Sequence, residues 1–142
     1  MYSGSPFNDA PDLVSAVTPD DWPVRVEIDS VQNDGESGIQ RIKFTYGNKW
    51  SLSHPSTYNL LKKRTNPLHE NLGGAKIIKF RVEKRLRWIG LHLDNGTKLT
   101  AGSRTVTDDE ILDFNVPAGC KGLKGFWGRD TDKIERLGLI WA

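Results

Sequence analysis

The chain has one cysteine, Cys120, and three histidines among its 142 residues. A single cysteine excludes an intramolecular disulfide framework and a cysteine-based zinc cluster. His54, His69 and His92 share no metal-like spacing, and none is near Cys120 in sequence. Neither a metal site nor a cysteine–histidine nucleophile is therefore indicated. No apolar run approaches the roughly 20 residues of a membrane span. The opening Met1-Tyr2-Ser3-Gly4-Ser5-Pro6 lacks the basic and apolar stretches of a secretory leader. The expected location is the cytoplasm, or the exterior by a leaderless route. One-signed charge is also missing. Twenty basic side chains face eighteen acidic ones, for a net charge of +2, so the chain as a whole is not built to bind nucleic acid. There is no phosphate loop and no evident acid–base pair. The expectation is a protein without cofactor, metal or enzymatic activity.

Helical periodicity is scarce too. Apolar residues instead alternate with polar ones, as in Val24, Val26 and Ile28; Ile42, Phe44 and Tyr46; Ile78, Phe80 and Val82; and Ile89, Leu91 and Leu93. Period-two alternation marks half-buried strands. Asn95-Gly96 reads as a two-residue hairpin turn, and Gly47-Asn48 as its counterpart before Lys49-Trp50-Ser51-Leu52. Residues 1–23 read as an edge strand plus loop, and 53–70 as the longest connection, with one helical turn at 58–63. The chain is expected to end on a strand, Leu139-Ile140-Trp141-Ala142. At this length it is expected to form one domain, 1–142.

A short strand-like pattern occurs three times. It starts at Ile39, Leu86 and Ile134, and these starts lie 47 and 48 residues apart. A period of this size indicates one supersecondary unit used three times around a shared core.

The third copy is the most distinctive. Gly125-Phe126-Trp127-Gly128-Arg129-Asp130-Thr131-Asp132-Lys133-Ile134-Glu135-Arg136-Leu137-Gly138 resembles the last hairpin of the jacalin-related lectin family. That hairpin typically reads Gly-Phe-Phe-Gly-Arg-Ser-Gly-Asp-x-(Ile/Val)-Asp-x-(Ile/Leu)-Gly. Leu72-Gly73-Gly74-Ala75 before Ile77-Ile78-Lys79-Phe80 resembles the family's glycine-rich turn. Ile28-Asp29-Ser30 through Tyr46 resembles its first hairpin. The resemblance implies an all-β fold, the β-prism I: three four-stranded antiparallel Greek-key sheets with pseudo-threefold symmetry. It also implies a metal-independent lectin for mannose- or glucose-type glycans, with the sugar held by the loop of the last hairpin. Carried over, the binding positions are Asp132, Lys133 through its backbone N–H, Glu135, and Gly4 from the N-terminal loop. Two positions depart from the family pattern. Glu135 stands where the family has aspartate, and Ser3-Gly4-Ser5 stands where it has a double glycine.

Carboxylates suit such a site because one group accepts hydrogen bonds from two vicinal hydroxyls, and charged acceptors make stronger bonds. The three repeats provide a comparison. Aligned on their starts, they place Ser37 and Gln40, Lys84 and Arg87, and Asp132 and Glu135 in equivalent positions. Only the third copy carries two acids. The same acids also fit a solvated turn paired with Arg129, Lys133 or Arg136. Asp130 is a candidate contact for a second sugar unit. Trp127 is a candidate for stacking on a pyranose face, although a tryptophan in a strand is more readily read as core packing.

The second repeat differs in kind. Lys76, Lys79, Arg81, Lys84, Arg85 and Arg87 fall within twelve residues, opposed only by Glu83. Such a cluster can hold sulfated glycans, anionic lipid headgroups or nucleic acid by a salt-sensitive attraction, or it can be a solvated strand face. The second functional reading is thus a prism-fold interaction module, such as the targeting domain of a pore-forming or defence protein. Either role gains from homo-oligomerisation or a fused partner domain, and contact with membranes would be indirect, through glycans or this patch.

Overall fold

The computed structural model describes residues 5–15, 20–33, 36–54, 66–104, 107–130 and 134–142. Among the described residues, eleven strands form three antiparallel sheets, accompanied by one six-residue helix and a three-residue 3-10 turn. The first sheet is built on the hairpin of β2 (Pro23–Asn33) and β3 (Glu36–Tyr46). It is flanked by β4 (Ser51–His54) on β3 and β5 (Leu68–Asn71) on β2. The second repeats this plan. Its hairpin of β6 (Ile77–Glu83) and β7 (Trp88–Leu93) is flanked by β8 (Lys98–Gly102) on β7 and β9 (Ile111–Asn115) on β6. In each sheet the fourth strand crosses back beside the first, which is the Greek-key order. The third sheet holds the last hairpin, β10 (Leu123–Asp130) and β11 (Ile134–Trp141), with β1 (Ser5–Asn8) on β10.

The architecture is the expected β-prism, with one difference. The expected fourth strand of the third sheet is missing among the described residues, so β11 has β10 on one side and no described strand on the other. The 47- and 48-residue spacing is explained by the hairpins: β2–β3, β6–β7 and β10–β11 are successive copies of one unit. The Ile39 N–H donates to the Leu86 carbonyl at 2.7 Å. The repeat positions of the first two hairpins therefore meet at one end of the prism.

Each sheet turns one face inward onto a common core. Phe44 of the first sheet, Phe80 of the second and Phe126 of the third pack together, with Phe126 5.0 Å from Phe44 and 6.0 Å from Phe80 between ring centres. Val26, Ile28, Ile39, Ile42, Ile89 and Leu91 are almost wholly buried around them. Burying each such side chain contributes about 1.5–3 kcal/mol. Two strand irregularities shift the expected inward set. A register shift between Ile77 and Lys79 turns Ile77 inward and leaves Ile78 half-buried. A shift between Pro23 and Arg25 leaves Val24 exposed.

The turn at Asn95-Gly96 is present, but as a three-residue loop rather than the expected two-residue one: the Leu93 N–H donates to the Thr97 carbonyl, the Gly96 N–H to the Leu93 carbonyl, and Gly96, at φ 89°, takes the left-handed position. At the counterpart turn the left-handed residue is Lys49, at φ 70°, rather than Gly47 or Asn48. Residues 1–23 contain, besides the expected edge strand β1, the short helix α1 (Ala10–Ser15). Its first N–H donates to the Asn8 side chain, an Asx turn that leads the chain into the helix. β5 begins inside the stretch read as a long connection. The expected helical turn at 58–63 lies outside the described residues.

Candidate functional site

The last hairpin and the N-terminal strand converge at one end of the third sheet. In the β10–β11 pairing, a bulge at Arg129/Asp130 sets Asp130 opposite Ile134. In the β1–β10 pairing, Ser5 lies opposite Asp130. Asp132, Lys133 and Gly4 fall outside the described residues. The strand ends from which they continue, at Ser5, Asp130 and Ile134, are adjacent. The site therefore joins two parts of the chain that are over 120 residues apart in sequence.

Asp130 is half-buried at this junction. Burial pushes its carboxyl above the ordinary carboxylate range, and nearby His54 opposes the shift. Glu135 is also half-buried, beside the buried Ile134.

Farther along the same strands stands a support that sequence reasoning missed. Asp9, only 2% exposed, follows β1 directly. Its Oδ1 lies 2.5 Å from His54 Nε2 on β4, and its Oδ2 accepts the Phe126 N–H at 2.9 Å. The Asp9 N–H donates to the Phe126 carbonyl at 2.9 Å. Phe7 stacks on the His54 ring, with centres 3.9 Å apart and planes 15° apart. One carboxylate thus ties β1 to β10 and to the first sheet, at the end of β1 away from Ser5 and four residues along β10 from Asp130. The pairing spans 45 residues, and no local spacing could have flagged it. Tyr46 sits in the same region and donates to the Lys124 carbonyl at 2.6 Å. Burial, then Asp9 and Asp12, push its phenol far above the ordinary tyrosine value.

Trp127 lies on the outer face of the third sheet, 54% exposed, and is not a core residue. Its indole covers Gly138 on β11 so closely that a Cβ there would stand 2.0 Å from Trp127 Cε2. This glycine is required by close approach rather than by a turn. The result is an exposed, flat aromatic surface three residues from Asp130.

The basic second repeat divides in two. Along β6, Arg81 pairs with Asp113 of β9 at 2.7 Å and with Asp108 at 3.8 Å, while Lys79 reaches Asp113 at 3.8 Å. The hydrogen bond from Arg81 holds Asp113 below the ordinary carboxylate range. Even so, burial followed by Lys98, Lys79 and Arg81 lowers His92 on the same face. Lys76 lies over the Trp22 ring at 5.0 Å. These strand residues are largely compensated or engaged.

The β6–β7 turn is different. It is folded around the buried Glu83 carboxylate, which accepts the N–H groups of Arg85 at 2.9 Å and Arg87 at 3.3 Å. Arg87 is half-buried, whereas Lys84 and Arg85 are exposed. Leu86 of this turn and Leu137 of β11 line the same cavity. The basic turn and the last hairpin thus belong to one end of the prism.

A further charged cluster lies on the outer face of the first sheet. Arg41 pairs with Asp29 at 3.0 Å and Glu27 at 3.1 Å, and His69 reaches Asp29 at 2.7 Å. Asp29 is fully buried and well compensated, as a buried charge must be. Its evident role is to tie β2, β3 and β5 together.

No protein-family model and no curated protein sequence matches the chain. Solved structures do. A prostate-specific WGA16 glycoprotein lectin, form II, superposes with a TM-score of 0.64 at 19% identity, over 100% of this chain and 95% of that one. PirB superposes with a TM-score of 0.64 at 14% identity, over 86% of this chain. The fold is that of a β-prism lectin. The chain spans only 29% of PirB, and at these identities both likenesses are of fold. Among the described residues no helix is long and apolar enough to cross a membrane.

Proposed function

We propose that the chain is a non-catalytic lectin module of jacalin-related type. It takes a mannose- or glucose-type unit, without metal, at the end of the last hairpin. Asp132, Lys133 and Glu135 supply the polar contacts, Gly4 closes the pocket, and Asp130 and Trp127 extend it along β10. The observation that carries this reading is the adjacency of the β1, β10 and β11 ends at Ser5, Asp130 and Ile134, on strands that the buried Asp9 carboxylate ties together farther along. A rigid frame of this kind is what shallow sugar recognition needs, because little binding energy is left to order the site. The lectin fold of one structural neighbour and the two acids peculiar to the third repeat support the same reading.

A single shallow site implies weak monosaccharide binding, about 1 mM, or roughly −4 kcal/mol. Calorimetric titration with methyl α-mannoside and methyl α-glucoside, with and without EDTA, tests it. Binding that survives EDTA and disappears in Asp132→Ala is the expected result. Unchanged binding in Asp132→Ala refutes the site.

The exposed Lys84 and Arg85 favour one second reading, in which this same end of the prism docks on sulfated glycans or anionic lipid headgroups. Such attraction falls as the screening length shrinks from ~10 Å at 0.1 M salt to ~3 Å at 1 M, whereas neutral-sugar binding barely responds.

A further inference from the structure

We infer that Arg81 and Arg104 form a second ligand site, for the carboxylate of an acidic sugar such as a uronic acid, and that Asp108 occupies it in the unliganded chain. Trp88 on β7 points to the site. It stands outside the hydrophobic core cluster, yet it is only 6% exposed. Its ring lies against Gly90, where a Cβ would stand 2.6 Å from Trp88 Cη2. Arg104 and Arg81 lie over the ring, at 5.2 and 5.9 Å from its centre. Contact of this kind holds a guanidinium in place and leaves its N–H fork available for an anion.

One oxygen of Asp108, in the 3-10 turn before β9, meets both forks. Oδ1 accepts a hydrogen bond from Arg104 Nη2 and lies 3.8 Å from Arg81 Nη2. Arg81 is fixed separately by Asp113, whose Oδ1 accepts from Nε at 2.7 Å. The Asp108 side chain is 81% exposed. An ion pair this exposed is weak, so an incoming anion competes with it readily. Two preorganised arginines closed by a displaceable carboxylate suit another carboxylate, because the guanidinium fork matches that group's two oxygens. The surrounding field favours an anion as well. Lys79, His92 and Lys98 are direct cross-strand neighbours on this face. Burial, then Lys98, Lys79 and Arg81, lower His92 against the opposing effect of Asp113.

The position within the repeat selects a sugar as the carrier of that carboxylate. The Lys84 N–H donates to the Glu110 carbonyl at 3.4 Å. The β6–β7 turn thus meets the segment entering β9, much as the last hairpin meets β1 in the third sheet. The sugar as carrier rests on the site proposed for the third hairpin, the carboxylate on the two arginines alone.

Calorimetric titration of the full chain with methyl β-glucuronide at low salt tests the site, with methyl β-glucoside and acetate as comparisons and near-ultraviolet circular dichroism to confirm folding. The glucuronide is expected to bind more tightly than either comparison. Asp108→Asn, which removes the internal competitor, is expected to tighten glucuronide binding at least threefold. Asp109→Asn makes the same charge change at the neighbouring residue, which bonds to Thr107, and should alter binding less than twofold. Arg104→Gln should weaken it about tenfold. An Asp108→Asn variant that binds no more tightly than wild type, or that Asp109→Asn matches, overturns the inference. So does an Arg104→Gln variant that binds as well as wild type. Acetate binding as tightly as the glucuronide, or an aspartate-rich peptide binding more tightly than both, overturns the sugar as carrier. Asp132→Ala separates the two sites. Glucuronide binding that persists in this variant supports the second site even if neutral sugars do not bind the wild type at all. Glucuronide binding lost in Asp132→Ala belongs to the third hairpin and overturns the second site.

Discussion

Asp9 gives the sharpest test of how the site is held. Its carboxylate has two partners, the buried Phe126 N–H at 2.9 Å and the partly buried His54 Nε2 at 2.5 Å. Asp9→Ala leaves the Phe126 N–H without this acceptor, at a cost of about 1–3 kcal/mol for a buried unsatisfied group. It also removes the hydrogen bond to His54, worth about 1.5–3 kcal/mol when one partner is charged. Together these predict a loss of about 3–5 kcal/mol, a large part of the stability of a domain this size. His54→Ala removes only the second term, together with the stacking on Phe7. Urea unfolding at pH 7 of the wild type, both single variants and the double variant isolates the pair. The coupling energy should be about 1.5–3 kcal/mol, because both substitutions delete one shared interaction. Coupling below about 0.5 kcal/mol would show that Asp9 acts only through Phe126, and that His54 is not part of the frame. Sugar binding should weaken in Asp9→Ala even under conditions where the variant is fully folded.

Two further outcomes follow from other contacts. Gly138→Ala should displace the Trp127 indole, because the added Cβ would stand 2.0 Å from Cε2. A shifted tryptophan emission maximum and a loss of about 1–3 kcal/mol by thermal melting are expected, and an unchanged emission would show that the indole does not cover Gly138. Asp113→Asn tests the compensation of the basic face. Because the hydrogen bond from Arg81 lowers the folded pKa of Asp113, its contribution is present above the unfolded pKa and is lost as pH falls through the folded one. The variant should therefore be less stable than wild type near neutrality, by less than about 1 kcal/mol since the pair is partly solvated. The two melting temperatures should converge in acid, and a gap that widens on acidification contradicts the assignment.

Much of the fold was legible because strand period and hairpin repeat are local signals. Ile42, Phe44 and Tyr46, and Ile89, Leu91 and Leu93, are buried as their alternation implies. The errors have local causes. Bulges near Ile77 and Pro23 break the alternation, so Ile78 and Val24 do not join the buried row. β9 was missed because, as an edge strand, it buries only Ile111 and exposes the next four residues. The helix α1 was missed because six residues carry too little periodicity to read.

The site was legible only in part. The third hairpin stood out by its motif and its two acids. Its partnership with β1 and Asp9 depends on pairing across the whole chain, which spacing does not reveal. The basic cluster illustrates the opposite case. Six nearby cations looked like one patch, yet β9 brings Asp113 against Arg81 and Lys79, leaving Lys84 and Arg85 exposed at the turn.

The most direct measurement is a glycan array at physiological and high salt, with the wild type, Asp132→Ala and Lys84→Glu/Arg85→Glu side by side. Binding to mannose- or glucose-terminated glycans is expected to persist in high salt, vanish in Asp132→Ala and survive the double charge reversal. Binding confined to sulfated glycans, lost in high salt and in Lys84→Glu/Arg85→Glu but intact in Asp132→Ala, would contradict this expectation.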